Sequence, residues 1–299
     1  MMIPRTGPIV LLAALLAAAA PAAPTVHLRP LAPIDADAKG SGMKEPSAVA
    51  FDGASTLVVA DTGNGRLLTY TLAGGKATPK AEIRLPELPY PIRVQITREG
   101  RILALDGKHR RLVRIAPSGT FEGFVSPPAA AGEVVPRSFA IDGAGDLYLL
   151  DIFKARVLVL DAQERLLRTI AFPADTGFLS DVAVDARGTV FAIDSVGRRV
   201  YSAGKDATAL APYGPALKDD VAFPTALTVD GTGRLFIADE HGGGIVILGP
   251  GGSFRGRQAS MGWTEGALRY PSGLCMGPDA SLLVADREND RVQPYAISE

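Results

Sequence analysis

The chain has 299 residues, 47% of them apolar, and its 31 Lys and Arg residues nearly balance its 32 Asp and Glu residues. A chain of this size and composition can bury a large core without a structural metal or a set of disulfides. A net charge of -1 gives no global positive field, which argues against nucleic acid or an anionic membrane as the partner.

The N-terminus has the pattern of an export signal. A lone arginine precedes an apolar run over residues 9–20, which ends in the small-x-small sequence Ala20-Pro21-Ala22. Signal peptidases cut after such a pattern, so we predict a signal peptide over residues 1–22 and a mature, secreted or periplasmic chain. A cut one residue later would place Pro24 directly after the scissile bond. An uncleaved anchor is disfavoured because a membrane span needs about 20 apolar residues.

Residues 25–31 and a linker over residues 32–44 precede a repeat region, residues 45–299. In this region a proline, an alternating strand, a turn, a second strand and an aspartate recur six times. The second-strand aspartates lie 43 to 47 residues apart, at Asp61, Asp106, Asp151, Asp194, Asp239 and Asp286. Five of them follow a proline by fifteen residues (Pro46, Pro91, Pro136, Pro224 and Pro271), and Leu179 takes its place in the fourth copy. The period matches four-stranded propeller blades.

Between each proline and its aspartate lie two short apolar runs, such as Ala48–Phe51 and Leu57–Ala60. This pattern is typical of strands joined by a hairpin, and no later stretch has a sustained helical period. The copies resemble NHL repeats from residue 45 to residue 295. The resemblance implies an all-β protein, a six-bladed β-propeller of four-stranded antiparallel blades with the first strand innermost around a channel. It also implies that turns between strands two and three share one face, the upper face, with loops entering strand one.

The last repeat lacks a fourth strand, because the chain ends four residues after Tyr295. The segment Thr25–Leu31 can supply that strand, and the linker rich in Pro, Gly, Ser and Asp then leads to blade one. Pairing the two ends of the chain removes an open sheet edge. We therefore predict a single domain over residues 23–299, closed by an N-terminal strand.

Five residues after the repeated aspartate, five copies carry an arginine and the fifth copy carries Gly244. The arginines are Arg66, Arg111, Arg156, Arg199 and Arg291. Aspartate and arginine that flank one tight turn can pair, and the carboxylate can also accept turn amides. A feature repeated around a ring is not a single active site, so we predict a structural role, as for the hairpin residues Asp52, Asp142, Asp185 and Asp230.

Departures from the repeat indicate candidate ligand-binding residues. Two positions after each proline the residues are small except for Arg93 and Asp181, which we expect to reach each other or a ligand at the channel mouth. Glu45 replaces a bulky residue before strand one, and Arg137 lies nearby in blade three. The alternative is a salt-bridged plug that only fills the tunnel, since charges near the axis must be paired or wet.

The remaining candidates, His109, Glu240 and His241, lie in turns between strands two and three. The histidines belong to blades two and five, on opposite sides of the ring, so they are not expected to share a zinc ion with ligands at about 2.0 to 2.3 Å. The alternative for each is a solvated turn residue. Three glycines, residues 242–244, predict a wide, mobile loop in blade five.

Residues 284–293 are similar to a segment of peptidyl-hydroxyglycine amidating lyases, which are six-bladed NHL-like propellers. That resemblance implies a zinc site of three histidines with an arginine and a tyrosine, but no histidine triad can be matched here. A calcium site of the lactonase type needs several oxygens near the axis, where the sequence offers Asp181 and Glu45. We therefore assign no catalytic residue and no metal ligand.

The sequence favours a non-enzymatic propeller that binds a protein, peptide or glycan through its upper face, without a cofactor. The alternative is a metal-dependent lyase or lactonase-like hydrolase with a calcium or zinc ion at the channel mouth. A concentration of basic residues between Tyr90 and Ile115 predicts either an anionic partner or a solvated blade surface. The single cysteine, Cys275, lies in an apolar strand pattern and is predicted to pack in the core rather than to react.

Overall fold

The computed structural model describes residues 25–299, and the predicted signal peptide, residues 1–22, lies outside the described residues. Its 24 strands form six four-stranded antiparallel sheets. The N-terminal strand is β1 (His27–Pro30), blade one is β2 (Pro46–Phe51), β3 (Thr56–Asp61), β4 (Arg66–Ala73) and β5 (Lys76–Ile83), and blade two is β6 (Pro91–Ile96), β7 (Ile102–Asp106), β8 (Arg111–Ile115) and β9 (Phe121–Phe124). Blade three is β10 (Pro136–Ile141), β11 (Leu147–Asp151), β12 (Arg156–Leu160) and β13 (Leu166–Ala171), and blade four is β14 (Leu179–Val184), β15 (Val190–Asp194), β16 (Arg199–Ala203) and β17 (Ala211–Pro212). Blade five is β18 (Pro224–Val229), β19 (Leu235–Asp239), β20 (Gly244–Leu248) and β21 (Phe254–Gln258), and blade six is β22 (Pro271–Gly277), β23 (Ser281–Asp286) and β24 (Arg291–Ser298).

The helical content of the described chain is limited to four single turns of 3-10 helix. These are Thr62–Asn64, Ala129–Ala131, Pro250–Gly252 and Arg287–Asn289. No helix among residues 25–299 has the length and apolar character needed to span a membrane. The protein is therefore a six-bladed β-propeller, as the repeat predicts.

The ring is closed by strand β1, which pairs antiparallel with β24 from His27 opposite Ser298 to Pro30 opposite Tyr295. Val26, directly before this strand, is only 3% exposed and packs in the cluster between blades five and six. The predicted closing strand is confirmed, although its paired part is shorter than residues 25–31. The linker that follows is fixed to blade one by an ion pair of Asp37 with Arg66 (2.7 Å).

The core consists of six apolar clusters, one between each pair of neighbouring blades. Strands two and three of each blade supply most of the buried side chains, because both faces of these strands are covered by adjacent blades. The innermost strands need small residues where they converge. At Gly273 a Cβ atom would lie 2.6 Å from the carbonyl oxygen of Ser47 in the next blade, so no larger residue fits there.

Candidate functional site

The channel opens on the upper face into a cavity of about 150 Å³, which we name the mouth cavity. Three positions of each blade can face it: the residue before strand one, the residue after the first proline, and the first residue of the turn between strands two and three. Its lining residues are Glu45, Ser47, Thr62, Tyr90, Ile92, Arg93, Arg137, Thr225, Glu240, Ser272 and Arg287. The structure thus brings four of the predicted binding residues, Glu45, Arg93, Arg137 and Glu240, to one cavity.

Hydroxyl groups connect the inner strands on one part of this mouth. The second residue of strand one is Ser47, Ser180, Thr225 or Ser272 in four blades. Ser47 donates to the carbonyl of Pro91 in the next blade (3.3 Å), and Ser272 donates to that of Pro46 (3.2 Å). Sequence reasoning missed this ladder, although the serine or threonine after the proline was a visible signal of it.

Arg93 and Asp181 meet inside the channel, with Arg93 Nε 3.5 Å from Asp181 Oδ1 and both side chains almost buried. Arg93 Nη2 also reaches the carbonyl of Thr225 on the opposite blade, at 3.4 Å. Asp181 accepts further hydrogen bonds from the Ser138 hydroxyl and from the Leu227 amide. Arg93 borders both the mouth cavity and a second cavity of about 130 Å³ lower in the channel, so this ion pair separates the two spaces.

Arg137 has a different environment. Among residues 25–299 no carboxylate lies within 4 Å of its guanidinium and no protein group forms a hydrogen bond with it; its cation stands 5.7 Å from the ring centre of Phe178. Burial lowers the pKa of Arg137 to about 10, and repulsion by the charge of Arg93 adds to that effect, against attraction by Asp181 and Glu240. The cation is therefore partly desolvated and has no directly bonded anion among the described residues.

Glu240 on the opposite side is paired. Its carboxylate lies 3.3 Å from the Nη2 atom of Arg287, the corresponding turn residue of blade six. The sequence analysis did not identify Arg287, because its partner belongs to the neighbouring blade and the two residues are 47 positions apart. Glu45 lines the cavity as an exposed side chain, and its backbone amide donates to Asp290 (2.8 Å).

The two upper-face histidines do not line the mouth cavity. His109 Nδ1 lies 2.5 Å from Asp106 Oδ2, so its ring occupies the place of the arginine of this repeat. His241 stacks on Phe223 with 4.7 Å between ring centres. Within the described part of the chain no three His, Cys, Asp or Glu side chains are grouped so that they could hold a metal ion.

The repeated aspartates have the structural surroundings that the sequence predicts, but their cations vary. Arg66, Arg156 and Arg291 pair with their own blade's aspartate at 2.5 to 2.9 Å. In blade two the guanidinium of Arg111 instead lies over the ring of Phe124, at 3.9 Å. In blade four Asp194 accepts four backbone amides, of Gly177, Phe178, Val196 and Gly197.

Blade five differs most from its sequence-based prediction. Arg257, from outer strand β21, reaches Asp239 at 2.7 Å and replaces the missing arginine at position 244. A Cβ atom on Gly242 or Gly244 would approach the Arg257 guanidinium to 2.3 or 2.8 Å. The glycines therefore make room for an arginine from another strand. The predicted wide loop is wrong, because Asp239 and Gly244 pair in the same register as Asp and Arg elsewhere.

The basic residues of blade two do not form one surface. Arg93 lies in the channel, Arg101 pairs with Glu122 at 3.0 Å, and Arg114 pairs with Glu164 of blade three. Arg111 lies on an aromatic ring, as described above. The concentration of charge in the sequence is therefore dispersed over separate parts of the blade.

Exposed apolar side chains, in contrast, concentrate on the upper face. Nine large apolar residues of the described chain are exposed, and six lie in upper-face turns and loops: Tyr90, Phe153, Phe178, Val196, Met261 and Trp263. Trp263 is 73% exposed. The other three, Phe121, Leu167 and Phe254, lie on outer strands β9, β13 and β21. The upper face therefore exposes more large apolar side chains than the outer strands do.

Comparison with known proteins agrees with the fold. A family model described as NHL repeat matches residues 268–295, whereas no curated protein matches the chain. A gluconolactonase from Xanthomonas campestris is 13% identical with a TM-score of 0.66, over 93% of this chain and 99% of that chain. A virginiamycin B lyase from Staphylococcus aureus is 12% identical with a TM-score of 0.60, over 92% and 89%. An auxiliary nutrient binding protein from Bacteroides thetaiotaomicron is 12% identical with a TM-score of 0.66, over 92% and 76%. At these identities the likeness shows the propeller fold and no shared activity.

Proposed function

We propose that the protein is an exported, non-enzymatic binding propeller that holds a protein, peptide or glycan on its upper face and uses no cofactor. The observation that carries the proposal is the placement of exposed apolar side chains, six of nine on the upper face, where Tyr90 also lines the mouth cavity. Aromatic side chains are enriched in recognition surfaces. Export rests on the signal-peptide pattern of residues 1–22.

The bonding of the mouth carboxylates supports binding rather than catalysis. Both oxygens of Asp181 are used, by Ser138, Leu227 and Arg93. Glu240 is paired with Arg287. A general base needs a carboxylate that is free to take a proton from the substrate, and neither Asp181 nor Glu240 is in that situation. Glu45 is the remaining carboxylate of the mouth cavity, and it is exposed.

The fold neighbours include lyases and gluconolactonases, so the experiment has to separate binding from catalysis. Fluorescently labelled mature protein is applied to a peptide array and a glycan array. The variant Phe153→Glu/Val196→Glu tests the upper face, and Phe121→Glu/Leu167→Glu makes the same change on the outer strands. We expect ligands that the upper-face variant loses and the outer-strand variant keeps.

Ligand binding that both double variants retain equally would overturn the proposed surface. Metal analysis of the same preparation tests the enzymatic alternative. Calcium or zinc that remains stoichiometric after dialysis would favour a metal-dependent lyase or lactonase-like hydrolase over a binding protein.

A further inference from the structure

The mouth cavity has two chemically different halves. Toward blades five, six and one it is lined by Thr225, Glu240, Ser272, Arg287, Ser47 and Thr62, whose hydroxyls and charges bond one another or the adjoining backbone. Toward blades two and three the hydroxyl ladder is interrupted, because Ile92 and Arg137 replace its serine or threonine. The inner strands β6 and β10 also approach each other less closely than other neighbouring inner strands.

Apolar groups surround Arg137 in that half. Tyr90 and Ile92 line the cavity with it, Phe178 lies beside its guanidinium, and Val135 precedes its strand as a half-buried residue. Arg137 is therefore a cation placed among hydrocarbon, in the half of the mouth that has no carboxylate of its own among the described residues. Arg137 is half-buried, and a cation that has lost part of its water attracts an anion more strongly than one on the open surface.

The size of the cavity limits what can enter. A water molecule takes about 30 Å³ of liquid volume, so 150 Å³ accepts a group of a few heavy atoms. A larger ligand would have to leave its remaining atoms on exposed aromatic side chains. Of these, Tyr90 lines the cavity and Phe178 has its ring centre 5.7 Å from the Arg137 guanidinium.

We propose that Arg137 binds the carboxylate of an apolar acid, whose hydrocarbon part lies against Ile92, Tyr90 and Phe178. The inference rests on the proposed binding function and names the ligand chemistry of that same face. A guanidinium offers two parallel N–H donors that match the two oxygens of a carboxylate. The apolar acid is either a free small molecule or the end of a peptide, and both present the same group to Arg137.

The test compares acids with neutral isosteres by isothermal titration calorimetry at pH 7 and 0.15 M salt. The free probes are 4-phenylbutanoate and 4-phenylbutanamide. The peptide probes are one octapeptide ending in phenylalanine, with a free or an amidated C-terminus. We expect each acid to bind at least ten times more tightly than its amide. If 4-phenylbutanoate and the octapeptide with a free C-terminus bind equally tightly, the ligand is a free small acid. If the peptide binds more tightly, the ligand is the C-terminal end of a peptide.

Variants then assign the effect to Arg137. Arg137→Gln should reduce acid binding about tenfold to a hundredfold and leave amide binding unchanged, since bonds to a charged group are lost. Arg137→Lys should retain part of the preference. Arg187→Gln removes an exposed arginine in the turn between β14 and β15 and should have little effect, because salt screens distant charges.

Two results would overturn the inference: equal binding of acid and amide, or an acid preference that survives in Arg137→Gln. Neither result affects the proposed binding function, because the array experiment with Phe153 and Val196 tests that function without any assumption about charge. Array binding that both double variants retain equally, together with an acid preference that depends on Arg137, would instead overturn the proposed surface alone.

Discussion

Replacing Arg93 by Met removes the cation that closes the channel, and the structure gives the size of the expected effect. At the observed 3.5 Å between Arg93 Nε and Asp181 Oδ1, two unit charges attract by about 5 kcal/mol at an effective dielectric constant of about 20. The cost of burying both ions offsets a large part of this attraction. Because Asp181 keeps its bonds from Ser138 and Leu227, we expect Arg93→Met to destabilise the fold by about 2 kcal/mol.

The attraction itself is measured by a double-mutant cycle of Arg93→Met, Asp181→Asn and the double variant in urea denaturation. We expect a coupling free energy of about 1 to 3 kcal/mol, with similar m-values for all four proteins. A coupling below about 0.5 kcal/mol would refute the idea that the pair is a structural plug. If Arg93→Met does not fold, the loss of stability exceeds the expected value. The bonds that Asp181 keeps would then not compensate for the missing cation.

Three further predictions follow from other parts of the ring. Deleting residues 25–31 removes buried Val26 and the β1–β24 pairing; we expect a loss of about 3 kcal/mol or more, a melting temperature lower by about 6 to 12 °C, and aggregation detected by light scattering. Arg257→Met leaves the buried Asp239 without its cation and should lower the free energy of unfolding in urea by about 2 kcal/mol. The second change Gly244→Arg should restore part of this stability. If it restores none, Arg257 does not take the role that the repeat arginine has in other blades. Burial raises the pKa of the Cys275 thiol to about 12. In a thiol-labelling assay at pH 8 the native protein should therefore react far more slowly than the urea-unfolded protein. Equal labelling rates would contradict the burial of the Cys275 side chain.

The features that could be predicted from the sequence are those that a single blade determines. Strands one to three and the aspartates at their turns repeat locally, so the period of the repeat was enough to predict six blades. The closing strand was predictable too, since a ring of five complete blades and one incomplete blade has a single unpaired edge. Its paired length could not be predicted, because contacts with β24 continue irregularly into the linker, where Ile34 pairs with Val292.

The features that could not be predicted depend on neighbouring strands and blades. Arg257 lies eighteen residues after Asp239, and only the folded fourth strand places it beside that carboxylate. The pair of Glu240 with Arg287 connects different blades, so no local pattern shows it. The hydroxyl ladder also connects blades, and the recurring serine or threonine was its only local signal. The contact between Arg93 and Asp181 was predictable, because both residues occupy the same position of the repeat, near the axis. The other blades carry a small residue there.

The pairing of β1 with β24 also sets an order of events during synthesis. Residues 27–30 have their strand partner at positions 295–298, one of the longest sequence separations the chain allows. Contacts of this kind form late, since nearly the whole chain must be ordered before they stabilise it. Blades one to five are each built from one consecutive stretch of sequence, whereas blade six needs a strand from the opposite end of the chain.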